Sequence, residues 1–227
     1  MDLLTTTGVV LLAVFSITSH EAAHGFVANW FGDPTAKLQG RLTLNPLPHI
    51  DLVFTILLPL FLIIAGTGII FGGAKPVPVN ISRLHNPRRD WALVGIAGPA
   101  MNLAIAIVLT VVLAALVHPG LAQDDAGVLK ILALGIFLNV LLAVFNLIPV
   151  PPLDGSRVLQ YFLSSSALET YRRMESYGLL IIVALLFLVP GFYRFVIAVI
   201  FGVTAAITAP FGVWHTLQSI LQGLLFT

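Results

Sequence analysis

The chain has 227 residues, 58% of them hydrophobic and only 9% charged, with a formal net charge of +1. A soluble domain carries about a quarter charged residues, so this composition describes a protein whose solvent is largely lipid, and the lack of a basic run excludes a nucleic-acid partner. Cysteine is absent, which excludes disulfides, iron–sulfur clusters and thiolate metal sites, so a tightly held metal must use histidine and carboxylate.

A membrane span needs roughly 20 apolar residues. The first such run is Leu3 to Trp30. Its only early charge is Asp2, where a signal peptide would carry Lys or Arg, so the chain is expected to be complete from Met1. The run contains His20-Glu21-Ala22-Ala23-His24. At 3.6 residues per turn His20 and His24 share a helix face, where both imidazoles can reach one Zn²⁺, with Glu21 close enough to act on a water. Polar residues at a solvated helix end are the ordinary alternative, but ionisable groups at membrane depth are costly and functional by default.

A polar stretch, Gly32 to Asp51, leads to a second apolar run, Leu52 to Phe71, long enough to span but holding Pro59, Gly66 and Gly68. The following segment, Gly72 to Asn80, cannot be helical, because Pro76 and Pro78 force an extended backbone. Those prolines disarm one edge while Val77 and Val79 keep their donors on the other. The segment is therefore either a rigid connector or an edge that receives an extended peptide.

Trp91–Val117 and Val128–Ile148 read as two further spans. The second runs into Asn146-Leu-Ile-Pro-Val-Pro-Pro-Leu-Asp-Gly155, where three prolines break the helix and set Asp154 at the membrane boundary. Beyond it lie a short span at about Ser176–Pro190, which could borrow a turn from the residues before it, a further span at Phe192–Ala209, and a helix after Pro210 and Gly212 with Trp214, Leu217, Leu221, Leu224 and Leu225 on one face, expected at the membrane interface.

A zinc protease site needs a third protein ligand and one open position. Glu169 and Glu175 sit in a polar loop near Arg172 and Arg173; Asp124 and Asp125 share a short loop; Asp51 and Asp90 read as helix caps. His49, His85, His118 and His215 read as surface residues. Asp154 is the favoured ligand, with a cap for the next helix as its alternative.

With these residues in view, the chain resembles the site-2 protease family of intramembrane metalloproteases. The resemblance rests on HEAAHG, on NLIPVPPLDG, and on Ala97-Gly98-Pro99-Ala100-Met101-Asn102, similar to that family's Gly-Pro-x-x-Asn segment. It implies a zinc-dependent endopeptidase acting on transmembrane segments, with His20, His24 and Asp154 as ligands and Glu21 as base. It also implies that Asn102 and Asn146 lie near the substrate and that Gly73–Asn80 matches the family's membrane-associated β-element. The chain lacks the PDZ-like and nucleotide-sensing domains of larger relatives, and carries an extra apolar insertion at about Gly40–Ile70.

The expected fold is an all-α polytopic membrane protein with five to six apolar segments, a short extended β-element and a C-terminal interfacial helix. It forms one domain, with a catalytic core at 3–157 and accessory helices at 158–227. Asp154 can meet the histidines only if Leu52–Phe71 enters and returns on one side. The eleven Lys and Arg then divide nine (Lys37, Arg41, Lys75, Arg83, Arg88, Arg89, Arg157, Arg172, Arg173) against two (Lys130, Arg194). That split follows the positive-inside rule and puts the site near the cytoplasmic face, most simply of the plasma membrane. The expected partners are transmembrane substrates and the bilayer. The rival is a membrane metal-binding or transport protein without turnover, which would not need Glu21 between two ligands.

Overall fold

The computed structural model describes residues 2–57, 60–61, 64–65, 73–117 and 126–225. The helices are α1 (Leu3–Trp30), α2 (Thr35–Leu38), α3 (Pro87–Val117), α4 (Ala126–Asn146), α5 (Asp154–Phe162), α6 (Ser165–Arg173), α7 (Gly178–Leu188), α8 (Phe192–Thr208) and α9 (Trp214–Leu225). Among the described residues, four helical stretches are long and apolar enough to cross a membrane: α1, α3, α4, and α8 continued to Phe211. The chain is an integral membrane protein.

The start of α3 shows local chemistry setting an element boundary. Pro87 takes the first helical position, where its missing N–H costs nothing. Three residues on, Asp90 Oδ2 accepts from the Asn86 amide at 2.6 Å, so a carboxylate in the first turn satisfies the donor that precedes the helix. Helix α3 therefore begins four residues before the expected Trp91.

Helices α1, α3 and α4 pack together, and α5 sits against α3. The apolar core lies further along the bundle, where Leu113 of α3 and Ile136 and Val140 of α4 meet Ile200 of α8 and Leu217 and Leu221 of α9. The apolar face of α9, expected to lie on the membrane interface, is thus turned onto the bundle. A helix offered a hydrophobic groove by its own protein buries its stripe there.

Two expectations differ from the structure. Ser176–Pro190, proposed as a span, gives only the 11-residue α7, preceded by a tight turn at Met174–Tyr177 and followed by Gly191 at a φ of 83°. At about 1.5 Å per residue it reaches roughly half a bilayer core. The β-element does not appear as a strand: residues 73–80 have no regular secondary structure, and among the described residues there is no strand at all. A lone extended segment with two prolines has no partner with which to build a ladder.

The returning path expected for 52–71 lies largely outside the described residues. What flanks it is clear. Lys75 N donates to His49 O at 2.8 Å, and Thr55 Oγ1 donates to Gly73 O at 2.6 Å. The two ends of that stretch are therefore side by side.

Candidate metal centre

The three residues favoured as ligands converge. His20 Nε2 lies 3.0 Å from Asp154 Oδ2, His24 Nε2 lies 3.2 Å from the same oxygen, and the two Nε2 atoms are 3.1 Å apart. Tetrahedral zinc with bonds near 2.0–2.2 Å separates its ligand atoms by about 3.3–3.5 Å, so the triangle is within a few tenths of an ångström of one face of that tetrahedron. All three side chains are buried, and no other group of three or more His, Asp or Glu among the described residues could hold a metal.

The far side of each imidazole decides what the near side offers. His24 Nδ1 is 2.6 Å from Val94 O, a backbone oxygen that can only accept, so Nδ1 carries the proton and Nε2 a lone pair. His20 Nδ1 is 2.5 Å from Asn102 Oδ1 and is held in the same sense. Burial works against a charge on Asp154, but the two imidazoles and the Arg157 guanidinium, 3.2 Å from Oδ1, hold its carboxyl well below the usual carboxylate range. Three electron pairs thus point into one small space. Only a proton or a cation between them makes that arrangement favourable.

The space itself is kept open by a missing side chain. A Cβ on Gly98 would stand 2.5 Å from the Nε2 atoms of both His20 and His24. Gly155 does the equivalent for Asp154, since a Cβ there would meet Leu147 O at 2.1 Å and push the start of α5 off the end of α4. The donor set, its geometry and the glycine-lined space all fit zinc.

Glu21 points to another side of the site. Its Oε2 accepts from the Val77 amide at 3.0 Å. In an extended segment one residue's N–H and C=O leave along the same edge, so the edge left competent by Pro76 and Pro78 is the one that meets Glu21. Val77 is buried, however, and its donor is already taken. Val79 is half-buried in the same segment. Asn102, expected near substrate, is fully buried behind His20. Asn146 donates to Leu142 O of its own helix at 2.9 Å and stays half-buried.

Four residues were not expected at the site. Arg157 pairs with Asp154 and lies over the Trp91 ring, 4.6 Å from its centroid; its signal was the i, i+3 spacing from Asp154. Asn139 hydrogen-bonds Asn102, and nothing local marks it except polarity inside an apolar helix. Arg41 donates through Nη2 to Lys75 O at 2.6 Å and Pro76 O at 3.4 Å. His49, expected at the surface, is buried and contacts Thr43 O at 3.1 Å, because residues 41–49 fold back against the 73–77 segment.

A buried histidine–carboxylate triangle inside a helical membrane protein, with a glutamate beside it, offers the donor set that a membrane metallohydrolase centre would need. Comparison with known proteins agrees. The chain belongs to the site-2 protease family, peptidase family M50. The profile described as "Peptidase family M50" matches residues 117–189. A Bacillus subtilis protein named "Putative zinc metalloprotease YwhC" is 41% identical over 179 residues, covering 78% of each chain. A Mycolicibacterium smegmatis protein carrying the same description, Rip2, is 35% identical over 187 residues, 81% of this chain and 69% of its own. No solved structure matches the chain.

Proposed function

We propose that this chain is a zinc-dependent intramembrane endopeptidase that hydrolyses peptide bonds in or near transmembrane segments. His20, His24 and Asp154 hold the metal and Glu21 is the catalytic base. The observation that carries this reading is the triangle of His20 Nε2, His24 Nε2 and Asp154 Oδ2, with Glu21 one residue from a ligand. Relatives named zinc metalloproteases support the choice of metal.

Bound in the triangle, zinc supplies Lewis-acid activation of a water and of the scissile carbonyl. The protein's own groups do the rest. Val94 O and Asn102 keep the two imidazoles turned with Nε2 inward. Arg157 takes the outer oxygen of Asp154, leaving the inner one for the metal. Glu21, steadied by the Val77 amide, takes the proton of the attacking water and returns one to the leaving amine. The substrate must be unwound, because a helix hides its carbonyls in its own hydrogen bonds. We assign its docking to the edge carrying Val79 and the Val77 carbonyl, with Asn146 beside it.

The proposed membrane path is supported by where α1 meets α3. His24 lies six residues before the end of α1, and its partner Val94 lies seven residues after the start of α3. That contact favours a path with the chain leaving α1 and the chain entering α3 on one side, as a returning 52–71 requires. The charge distribution makes that side cytoplasmic. Cysteines placed at Asn45 and Ser82 should label from the same face with an impermeant reagent; opposite labelling would overturn this path.

The deciding experiment is zinc analysis with cleavage of a model transmembrane peptide, wild type beside Glu21→Gln. The variant should keep zinc and lose cleavage by about 10²–10⁴-fold, the span typical of a general base. A Glu21→Gln protein that cleaves at the wild-type rate would remove the base assignment.

A further inference from the structure

Asn139 of α4 touches none of the three proposed ligands, yet it is fully buried in an apolar helix, where an amide is costly unless every polar atom is paired. Each of its atoms is. Nδ2 donates to Gly135 O at 2.8 Å and to Ser16 Oγ at 2.9 Å, while Oδ1 accepts from Asn102 Nδ2 at 2.9 Å. The Ser16 hydroxyl donates to Leu12 O at 2.8 Å, which leaves its lone pair for Asn139.

This chain of bonds can run in one direction only. Gly135 O is a backbone carbonyl and cannot donate, so the Asn139 nitrogen must face it and Oδ1 must face Asn102. Asn102 then has to present its nitrogen to Asn139 and to Ser16 O, 3.4 Å away, which turns Oδ1 toward His20. His20 must answer with a proton on Nδ1, and Nε2 is left with the lone pair that a metal needs.

Resting on the zinc-centre reading above, we infer that Asn139 is a positioning residue that selects the metal-binding tautomer of His20 by fixing the amide of Asn102. The two histidines are an internal comparison. His24 is set directly by Val94 O, which cannot turn over. His20 is set by a side-chain amide, which can. Without Asn139, only the long 3.4 Å contact to Ser16 O opposes rotation of the Asn102 nitrogen toward His20, and in the rotated state the imidazole carries its proton on Nε2, where zinc should bind.

The test uses the full-length chain in detergent, with zinc affinity measured by competition against a chelator. Asn139→Ala should weaken zinc by about 10–100-fold, the usual cost of losing a supporting hydrogen bond. An aspartate at position 102 can accept from His20 whichever way it turns, and with alanine at 139 the Asn139 oxygen no longer opposes it. Asn102→Asp combined with Asn139→Ala should therefore bind zinc more tightly than Asn139→Ala alone, a rescue that simple loss of packing would not give. In the zinc-free Asn139→Ala protein, imidazole nitrogen resonances should show His20 moved to the Nε2-protonated form and His24 unmoved. Should alanine prevent folding, the near-isosteric Asn139→Asp, kept neutral by its apolar surroundings, can donate its O–H to Gly135 O and keep the acceptor for Asn102, and should bind zinc within about threefold of wild type.

Wild-type affinity in Asn139→Ala would overturn the assignment. So would a loss that Asn102→Asp fails to rescue, a shift of both histidines together, or tenfold weaker binding in Asn139→Asp. None of these measurements involves cleavage. A protein that obeys them and still cleaves as Glu21→Gln would keep this inference and lose the base.

Discussion

The metal triangle and the Glu21 side of the same centre are built from different materials. His20, His24 and Asp154 stand on α1 and α5, and their supports, Val94 and Asn102, on α3. Glu21 leans on residues 73–80, which have no regular secondary structure and are held by point contacts: Lys75 N to His49 O, Asn80 N to Asp33 Oδ2 at 2.6 Å, and Arg41 to the Lys75 and Pro76 carbonyls. Helices fix ligand positions to within a few tenths of an ångström, which a metal requires. A base that must pass a proton, beside an edge that must receive a substrate, is served by a segment that can adjust. Metal loading and turnover should therefore be separable by mutation.

The largest effects belong on the helical side. Alanine at His20, His24 or Asp154 should each remove zinc and abolish cleavage, since three ligands are the minimum for a catalytic site and no cysteine can replace them. Full zinc occupancy with normal activity in Asp154→Ala would break the assignment. Gly98→Ala should come next, because its methyl would enter the ligand space at 2.5 Å from both Nε2 atoms. We expect zinc affinity to fall by roughly 100-fold, at the upper end of what supporting residues cost. An alanine variant with wild-type affinity would mean that α1 and α3 can move apart, and that the helical side is softer than its hydrogen bonds imply.

What could be read from the sequence follows the same division. HEAAH announces itself because helical periodicity places residues i and i+4 together, and the proline run before Asp154 marks a boundary by backbone chemistry alone. The membrane character, all four long helices and the three residues proposed as ligands were legible at that level. The contacts of Arg41 and His49 were not, because a loop folding back across tens of residues leaves no periodic trace. Asn102 was noticed, but its hydrogen bond to His20 was not foreseen, because a polar residue in an apolar helix is equally conspicuous whichever partner it meets. The span proposed at Ser176–Pro190 failed for a related reason, since apolar composition does not record where a helix stops.

Val77 sharpens the comparison because two roles meet on one amide. Val77→Pro deletes the donor to Glu21 and should lower cleavage by roughly 10–100-fold while leaving zinc in place. Val77→Ile keeps the backbone donor and should be mild. Steady-state kinetics tell which role dominates. A fall in kcat at constant KM means the amide serves Glu21, and a rise in KM means it served the substrate edge. Loss of zinc in Val77→Pro would show that the two sides are not separable.

The smallest effect we expect lies one contact further out, at Arg41. Its side chain is buried, burial pushes its pKa down, and the nearby Glu21 charge acts in the opposite sense. Nη2 donates to two successive carbonyls, while Nε has no partner among the described residues. The guanidinium therefore contributes in two ways, by pinning residues 75–76 ahead of the Val77 amide and by placing positive charge near the base. Arg41→Met keeps most of the apolar stem and removes both, and should lower kcat by about tenfold, or roughly 1.4 kcal/mol in the barrier, with KM and zinc content unchanged. Arg41→Lys retains the charge and can offer several donors from one nitrogen. Because both observed contacts come from a single nitrogen, lysine should recover most of the loss. If lysine is as slow as methionine, the planar fork rather than the charge positions the segment; if methionine is as fast as wild type, residues 73–80 hold Glu21 without help from the loop.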